Sequence, residues 1–260
     1  MDRHAVSSDG ARVHYQISGS GSTALVMVHG WLGNAGWWSA QRAFFDDRYT
    51  VVAIDLPGHG ASDRTRTAWS AQQYADDIRA VVDQLDAPRV VLVGHSMSGA
   101  YVVLASTIIP RTTAIVLVDT LKDLDQLFSP EQAQQMFQLY RADFRSAVEN
   151  VLPRFLFAPG TPAPVRERLQ AEFLATDPEL AVRLLAPLYE VDLRAIARQV
   201  TVPVRAIQSD YTPTSKDNNR KYFRDFDQVA IADTGHYPML ERPGEFTRLL
   251  DGVLQQLALP

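Results

Sequence analysis

Short apolar runs alternate along the chain with longer stretches in which apolar residues recur every three or four positions. Residues 12–18, 24–28 and 49–54 read as strands. Residues 90–93 and 114–118 are more uniformly apolar, the pattern of strands covered on both faces of a parallel sheet. Between them, in WSAQQYADDIRAVVDQLDAP, Tyr74, Ile78, Val81 and Leu85 recur at helical spacing. Ser70 suits the N-cap of that helix and Pro88 its stop.

The rhythm changes after Asp119. From 121 to 199 the pattern is helical, divided by Pro153, Pro159, Pro162, Pro164, Pro178 and Pro187. Strand patterns return at 202–208 and 226–232, and a closing helix is expected over 244–257. Strands alternating with helices predict an α/β fold, a mostly parallel doubly wound sheet with right-handed crossovers. Its core takes residues 1–120 and 200–260, and the helical segment 121–199 is an insertion long enough to form a lid.

Composition narrows the functional classes. The 260 residues are 46% hydrophobic and 21% charged, enough apolar material for a substantial core. The formal charge of -5, with no basic run beyond RTR at 64–66, gives no reason to expect nucleic acid or an anionic membrane as partner. The absence of cysteine removes disulfides, thiolate metal sites and cysteine nucleophiles. The first residues, MDRHAVSSDGARVHY, lack the apolar core of a secretory leader. No apolar stretch approaches the ~18 residues of a membrane span. A soluble, cytoplasmic protein is expected.

The segment VVLVGHSMSGAY, residues 90–101, carries the chemistry. A buried strand stops at Gly94, a serine follows two residues later, and an apolar helix begins at once. A surface serine in a loop would need no such setting. A nucleophile on a strained strand-to-helix turn needs small residues two positions to either side, as Gly94 and Ser98 are. The hydroxyl of Ser96 then stands beside the first N–H groups of the helix, which favour developing negative charge.

Gly94-His95-Ser96-Met97-Ser98 resembles the G-x-S-x-G motif of the α/β-hydrolase superfamily, with serine at the fifth place. The resemblance extends over nearly the whole chain. It implies a base in the loop after the last strand, here His236 in ADTGHYPMLERP, among histidines at 4, 14, 29, 59, 95 and 236. It implies a carboxylate after the strand before the last, which is Asp210 in QSDYTPT. Asp119, ending AIVLVD, is the rival, because some relatives draw the acid from that strand, and Asp217 is a third candidate. Val26-Met27-Val28-His29-Gly30-Trp31 looks like the superfamily's oxyanion loop. The backbone N–H groups of Trp31 and Met97 are then the oxyanion donors. His29, Gly30 and Trp31 are its substrate-side residues, though His29 reads first as a hydrogen-bonder within the turn and only second as a substrate contact.

Asp55-Leu56-Pro57-Gly58-His59-Gly60 matches another superfamily loop. Asp55, His59 and Asp63 suggest a metal cluster less than a tight turn braced by hydrogen bonds. No phosphate-loop pattern occurs, and neither cofactor nor metal is expected. The resemblance implies a Ser-His-Asp hydrolase of small to medium carboxylic esters, with an apolar ester or related carbonyl compound as substrate. Carbon–carbon hydrolysis, lactone opening and peracid formation use the same residues. Relatives that dehalogenate or open epoxides generally carry aspartate where this chain has Ser96. A ligand receptor on the same fold is the reading from a different class.

Overall fold

The computed structural model describes residues 1–257; the last three residues of the expected core piece 200–260 lie outside the described residues. The strands are β1 (Asp2–Val6), β2 (Arg12–Ser18), β3 (Thr23–Val28), β4 (Thr50–Ile54), β5 (Arg89–His95), β6 (Thr112–Val118), β7 (Val204–Ser209) and β8 (Phe226–Ile231). They form one sheet in the order β1-β2-β4-β3-β5-β6-β7-β8. β1 and β2 are antiparallel to each other, and β2 is antiparallel to β4. The pairings from β4 through β8 are parallel.

The apolar runs explain the interior. All six residues of β3 are buried, as are six of the seven in β5. Such strands gain stability only if covered on both faces. Helices α1 (Ser39–Phe45), α2 (Ala71–Val82) and α3 (Met97–Ser106) supply part of that cover. Tyr74 of α2 stacks on Tyr101 of α3, with ring centroids 4.6 Å apart. The closing helix Pro243–Gln256 packs on α1. The expected cap of α2 is present: the Ser70 side chain accepts from the Gln73 N–H. The helix ends at Val82, well before Pro88.

β1 has no counterpart among the expected strands. Only Ala5 of its five residues is buried, so this edge strand has no apolar run to reveal it. Between β6 and β7 the chain forms a series of helices, beginning with α4 (Pro130–Ala142) and ending with Leu193–Ala197. α4 opens with a capping box between Ser129 and Gln132. Prolines occupy the first turns of α4, Pro153–Leu156, Ala163–Leu174, Pro178–Leu185 and Pro187–Glu190. There the missing N–H costs nothing, so the prolines start these helices instead of breaking them.

The strand order reverses around β3: β4 lies on one side of it and β5 on the other. Connections leaving the carboxyl ends of β3 and β5 diverge there, and a crevice results. The residues after those two strands are His29-Gly30-Trp31 and Ser96.

Candidate active site

Ser96 is held in a conformation that side chains rarely adopt. Its φ is 53° and ψ -123°, between the end of β5 and the first residue of α3. Its N–H donates to the Val118 carbonyl at 3.1 Å, and its own carbonyl accepts the Thr120 hydroxyl at 2.6 Å. These bonds keep a strained residue in place from both sides. The turn is tight enough that a Cβ on Gly94 would lie 2.6 Å from the Ser98 carbonyl oxygen. Gly30 is equally constrained: a Cβ there would lie 2.9 Å from that of Ser96.

The departure at the fifth motif position has a use. The buried Ser98 hydroxyl donates to the His29 carbonyl, a bond glycine could not make. It ties the elbow to the loop after β3.

His236 comes from the turn after β8. Its Nε2 is 2.7 Å from Ser96 Oγ, and its Nδ1 is 2.7 Å from Asp119 Oδ2. Asp119 ends β6 with φ 45° and is 4% exposed. Its other oxygen accepts the Ser209 N–H at 2.7 Å and the Lys122 ammonium at 2.8 Å. Burial opposes its ionisation. The hydrogen bond and charge of His236 and the charge of Lys122 outweigh that, and hold the carboxyl well below the usual carboxylate range. An ionised Asp119 accepts only. His236 Nδ1 therefore carries the proton, and Nε2 is left to accept from the Ser96 hydroxyl.

This geometry corrects the expectation for the acid. Asp210 follows β7 as expected, but it is exposed and makes no hydrogen bond to His236; the carboxylate beside the imidazole is Asp119. β6 and β7 are neighbouring parallel strands, so both aspartates leave the same edge of the sheet. The left-handed turn at Asp119, followed by another at Leu121, swings its side chain toward His236. Gln208 fixes that turn, accepting the Thr120 N–H at 3.1 Å and donating to the Thr120 carbonyl at 2.7 Å. Asp217 is exposed on the short helix Lys216–Arg220.

Trp31 and Met97 border the same cavity as Ser96, and neither backbone N–H donates to a protein acceptor among the described residues. The Trp31 indole donates to the Ala181 carbonyl at 2.8 Å and stacks on Tyr140 at 5.4 Å, which anchors the loop to the helical segment. His29 does not face the crevice. It is fully buried, Nδ1 donating to the Gly30 carbonyl at 2.7 Å and Nε2 accepting the Leu56 N–H at 3.1 Å. Both nitrogens are spent on backbone, so of the two expectations for His29 the geometry has the hydrogen-bonder within the turn and not the substrate-side residue. Gly30 packs against Ser96 and His95 and borders neither of the two cavities at Ser96. Of the three residues, Trp31 reaches the cavity.

Three residues escaped the sequence reading. Lys122 stands on the far oxygen of Asp119, and its spacing of three from that aspartate was the available signal. Gln208 gives none. Glu241, buried in the turn after His236, accepts the N–H groups of Gly235 at 2.8 Å and Tyr237 at 3.0 Å, and the Thr161 hydroxyl at 2.6 Å. The loop after β4 is braced in a similar way. Asp55 accepts the N–H groups of Ala35 and Ala61 and contacts His14, which occupies the oxygens a metal would need.

Two cavities meet at Ser96. One, of about 670 Å³, runs under the helical segment past Trp31, Met136, Tyr140, Leu152 and Leu185. The other, of about 480 Å³, extends over the carboxyl ends of β6 and β7 past Lys122, Gln126 and Thr212. Ser96, Met97, Phe128, Leu188, Tyr189 and His236 border both.

A strained serine beside an imidazole at the sheet's switch point defines the class, and the sequence comparison agrees: the Alpha/beta hydrolase family model matches residues 25–249, and the chain belongs to that family. Among curated proteins, it is 21% identical over 252 residues to 3-oxoadipate enol-lactonase 2 of Acinetobacter baylyi, covering 94% of this chain and 93% of that one. An uncharacterised protein of Mycobacterium tuberculosis is 41% identical over 90 residues, but the match spans 35% of this chain and 26% of that protein. The chain thus spans about a quarter of the length of such high-identity relatives. Among solved structures, a thermophilic esterase from Thermogutta terrifontis superposes with a TM-score of 0.84 at 22% identity, covering 99% of both chains. No helix among the described residues is long and apolar enough to cross a membrane.

Proposed function

We propose that the protein is a cofactor-independent serine hydrolase that cleaves small to medium carboxylic esters. The observation that carries this is the continuous hydrogen-bonded chain from Ser96 Oγ through His236 to Asp119, with both links at 2.7 Å. Ser96 Oγ bonds to the carbonyl carbon while His236 Nε2 takes its proton. The N–H groups of Trp31 and Met97 stabilise the resulting oxyanion; one such donor is typically worth about 10²–10³ in turnover. The tetrahedral intermediate expels the alkoxide, which takes the proton from His236 and leaves as alcohol. Water then attacks the acyl-enzyme, gives a proton to His236, and the carboxylic acid departs as that proton returns to Ser96. Asp119 stays ionised and holds the imidazole in one tautomer throughout. Segment 121–199 acts as a cap that shapes the pocket.

Lactone opening is the second reading, because a lactone is an internal ester and passes through the same steps. The likeness to 3-oxoadipate enol-lactonase 2 along nearly the full chain favours including it.

The test is hydrolysis of p-nitrophenyl butanoate by the protein and by its Ser96→Ala variant. The expected loss is on the order of 10⁶ in kcat, the scale seen when a nucleophile of this kind is removed. Undiminished hydrolysis by Ser96→Ala overturns the proposal. Stoichiometric ligand capture without turnover by the unaltered protein would instead assign it to the receptors of this fold.

A further inference from the structure

The charges around the two cavities point to a substrate class. Among the described residues, no lysine, arginine, aspartate or glutamate borders the larger cavity; its polar walls include the amides of Gln132 and Gln135 and the phenols of Tyr140 and Tyr189. Its rim is apolar: Phe128, Leu139 and Phe155 border it and are 60, 43 and 64% exposed. These are three of the large apolar side chains that the described surface leaves in water, and all three border this one cavity.

The smaller cavity holds a single cation, Lys122. That ammonium is already engaged. It contacts Asp119 Oδ1 at 2.8 Å, Ser209 Oγ at 3.0 Å and the Ser209 carbonyl at 3.2 Å, which uses its three donors. The remaining charged wall residue is Asp123, held by Asn218 at 2.9 and 3.0 Å, and its sign repels an anion. Neither chamber offers a free positive group to an acidic substrate.

We infer that the site is specific for an uncharged carbonyl compound with an apolar arm in the larger chamber, and that it discriminates against the same compound ending in a carboxylate. The inference rests on the proposed serine chemistry and adds the substrate's charge and polarity to it. A carboxylate carried into the larger chamber loses its water and finds neutral amides and phenols among apolar side chains, with no lysine or arginine to pair its charge. Burying an unpaired charge is among the costliest events in a protein interior. An alkyl arm instead gains from leaving water. Lys122 cannot turn toward an acidic substrate without releasing Asp119, the group that orients His236, so the anion's one available partner is withheld by the catalytic arrangement itself.

Two ethyl p-nitrophenyl phosphonate diesters, uncharged at phosphorus, test this, one with a hexyl arm and one with an arm of equal length ending in a carboxylate. Each reacts when Ser96 Oγ bonds to phosphorus, p-nitrophenolate leaves and the serine proton passes to His236. The rate of release is read for each probe and normalised to its reaction with hydroxide. The hexyl probe is expected to react at least about 100-fold faster, with the adduct on Ser96. Equal rates, or a faster carboxylate probe, overturn the inference and leave the serine chemistry standing. Failure of both probes to modify Ser96 overturns the serine chemistry and the inference with it. Met136→Arg, which sets a guanidinium in the larger chamber, is expected to narrow the ratio at least tenfold by accelerating the carboxylate probe. An unchanged ratio in that variant means the chamber is not where the arm lies, and overturns the inference as stated.

Discussion

Asp119 carries three interactions at once: it orients His236, neutralises Lys122 and accepts the Ser209 N–H. Asp119→Asn keeps the shape but exchanges an acceptor-only carboxylate for an amide that can present N–H to His236. The imidazole is then free to take the other tautomer, with its proton directed at Ser96. The expected cost is about 10⁴ in kcat, the scale of an orienting aspartate replaced by asparagine. Asp210→Asn, at an exposed site, is expected to leave kcat within about twofold. Ester hydrolysis by the two variants, side by side, checks this, and the reverse ordering would return the acid's role to Asp210. The pair also marks where sequence reading ends. Each aspartate follows a strand of the same parallel pair, and the lysine three residues after Asp119 is a local difference too slight to choose between them. The positive φ at Asp119 and the Gln208 clamp decide the matter, and the clamp exists only once β6 and β7 are paired.

Elements place these side chains, and the sequence reveals an element when its burial leaves a pattern, whether an unbroken apolar run or a helical repeat. The central strands are apolar throughout and α2 repeats at helical spacing, so both were legible. β1 was not, since an edge strand with one buried residue has no pattern. The elbow was legible because strain demands small neighbours, whereas the turn that carries His236 is held by groups far apart in sequence. Its backbone donates to Leu156 and accepts from His95, at 2.8 and 2.7 Å, and Glu241 gathers the amides on both sides. Glu241→Gln leaves one acceptor oxygen where two served, and sets an NH₂ against one of those amides. The expected result is a loss of about 1–3 kcal/mol in stability, with kcat lowered about tenfold as His236 loses its fixed position. Chemical denaturation and ester hydrolysis measure the two effects. A stability loss with unchanged kcat would make Glu241 a purely structural residue.

At the scale of the whole molecule, the same packing that positions the site makes it sensitive to acid. His29, His59 and His95 are buried, and burial is the leading cause that pushes each below its ordinary value, His95 to about 3. Around them, Asp55 pulls His29 upward, while His236 pushes His95 further down. In the unfolded chain these imidazoles titrate near ~6.5. Above that pH both states are neutral and the native state is at full advantage. Below it the unfolded chain binds protons that the native one refuses, so stability falls as pH drops from about 6.5 toward the folded values. Three such groups give a slope of up to roughly 4 kcal/mol per pH unit. Asp119, lowered in the folded state, adds a loss of the same sign at lower pH. Asp77, raised chiefly by burial, works the other way, because protonation relieves it. The expected outcome is a urea midpoint that is flat from pH 8 to 7 and falls steeply between 6.5 and 5. His59→Asn, which removes one of the three titrating groups, should reduce that slope by about one proton's share. A midpoint unchanged down to pH 5 would show that these histidines accept protons without unfolding. Loss of ester hydrolysis over the same interval must then be set against the unfolding curve: where the two coincide, acid acts through the scaffold, and where hydrolysis fails first, it acts at Ser96 and His236.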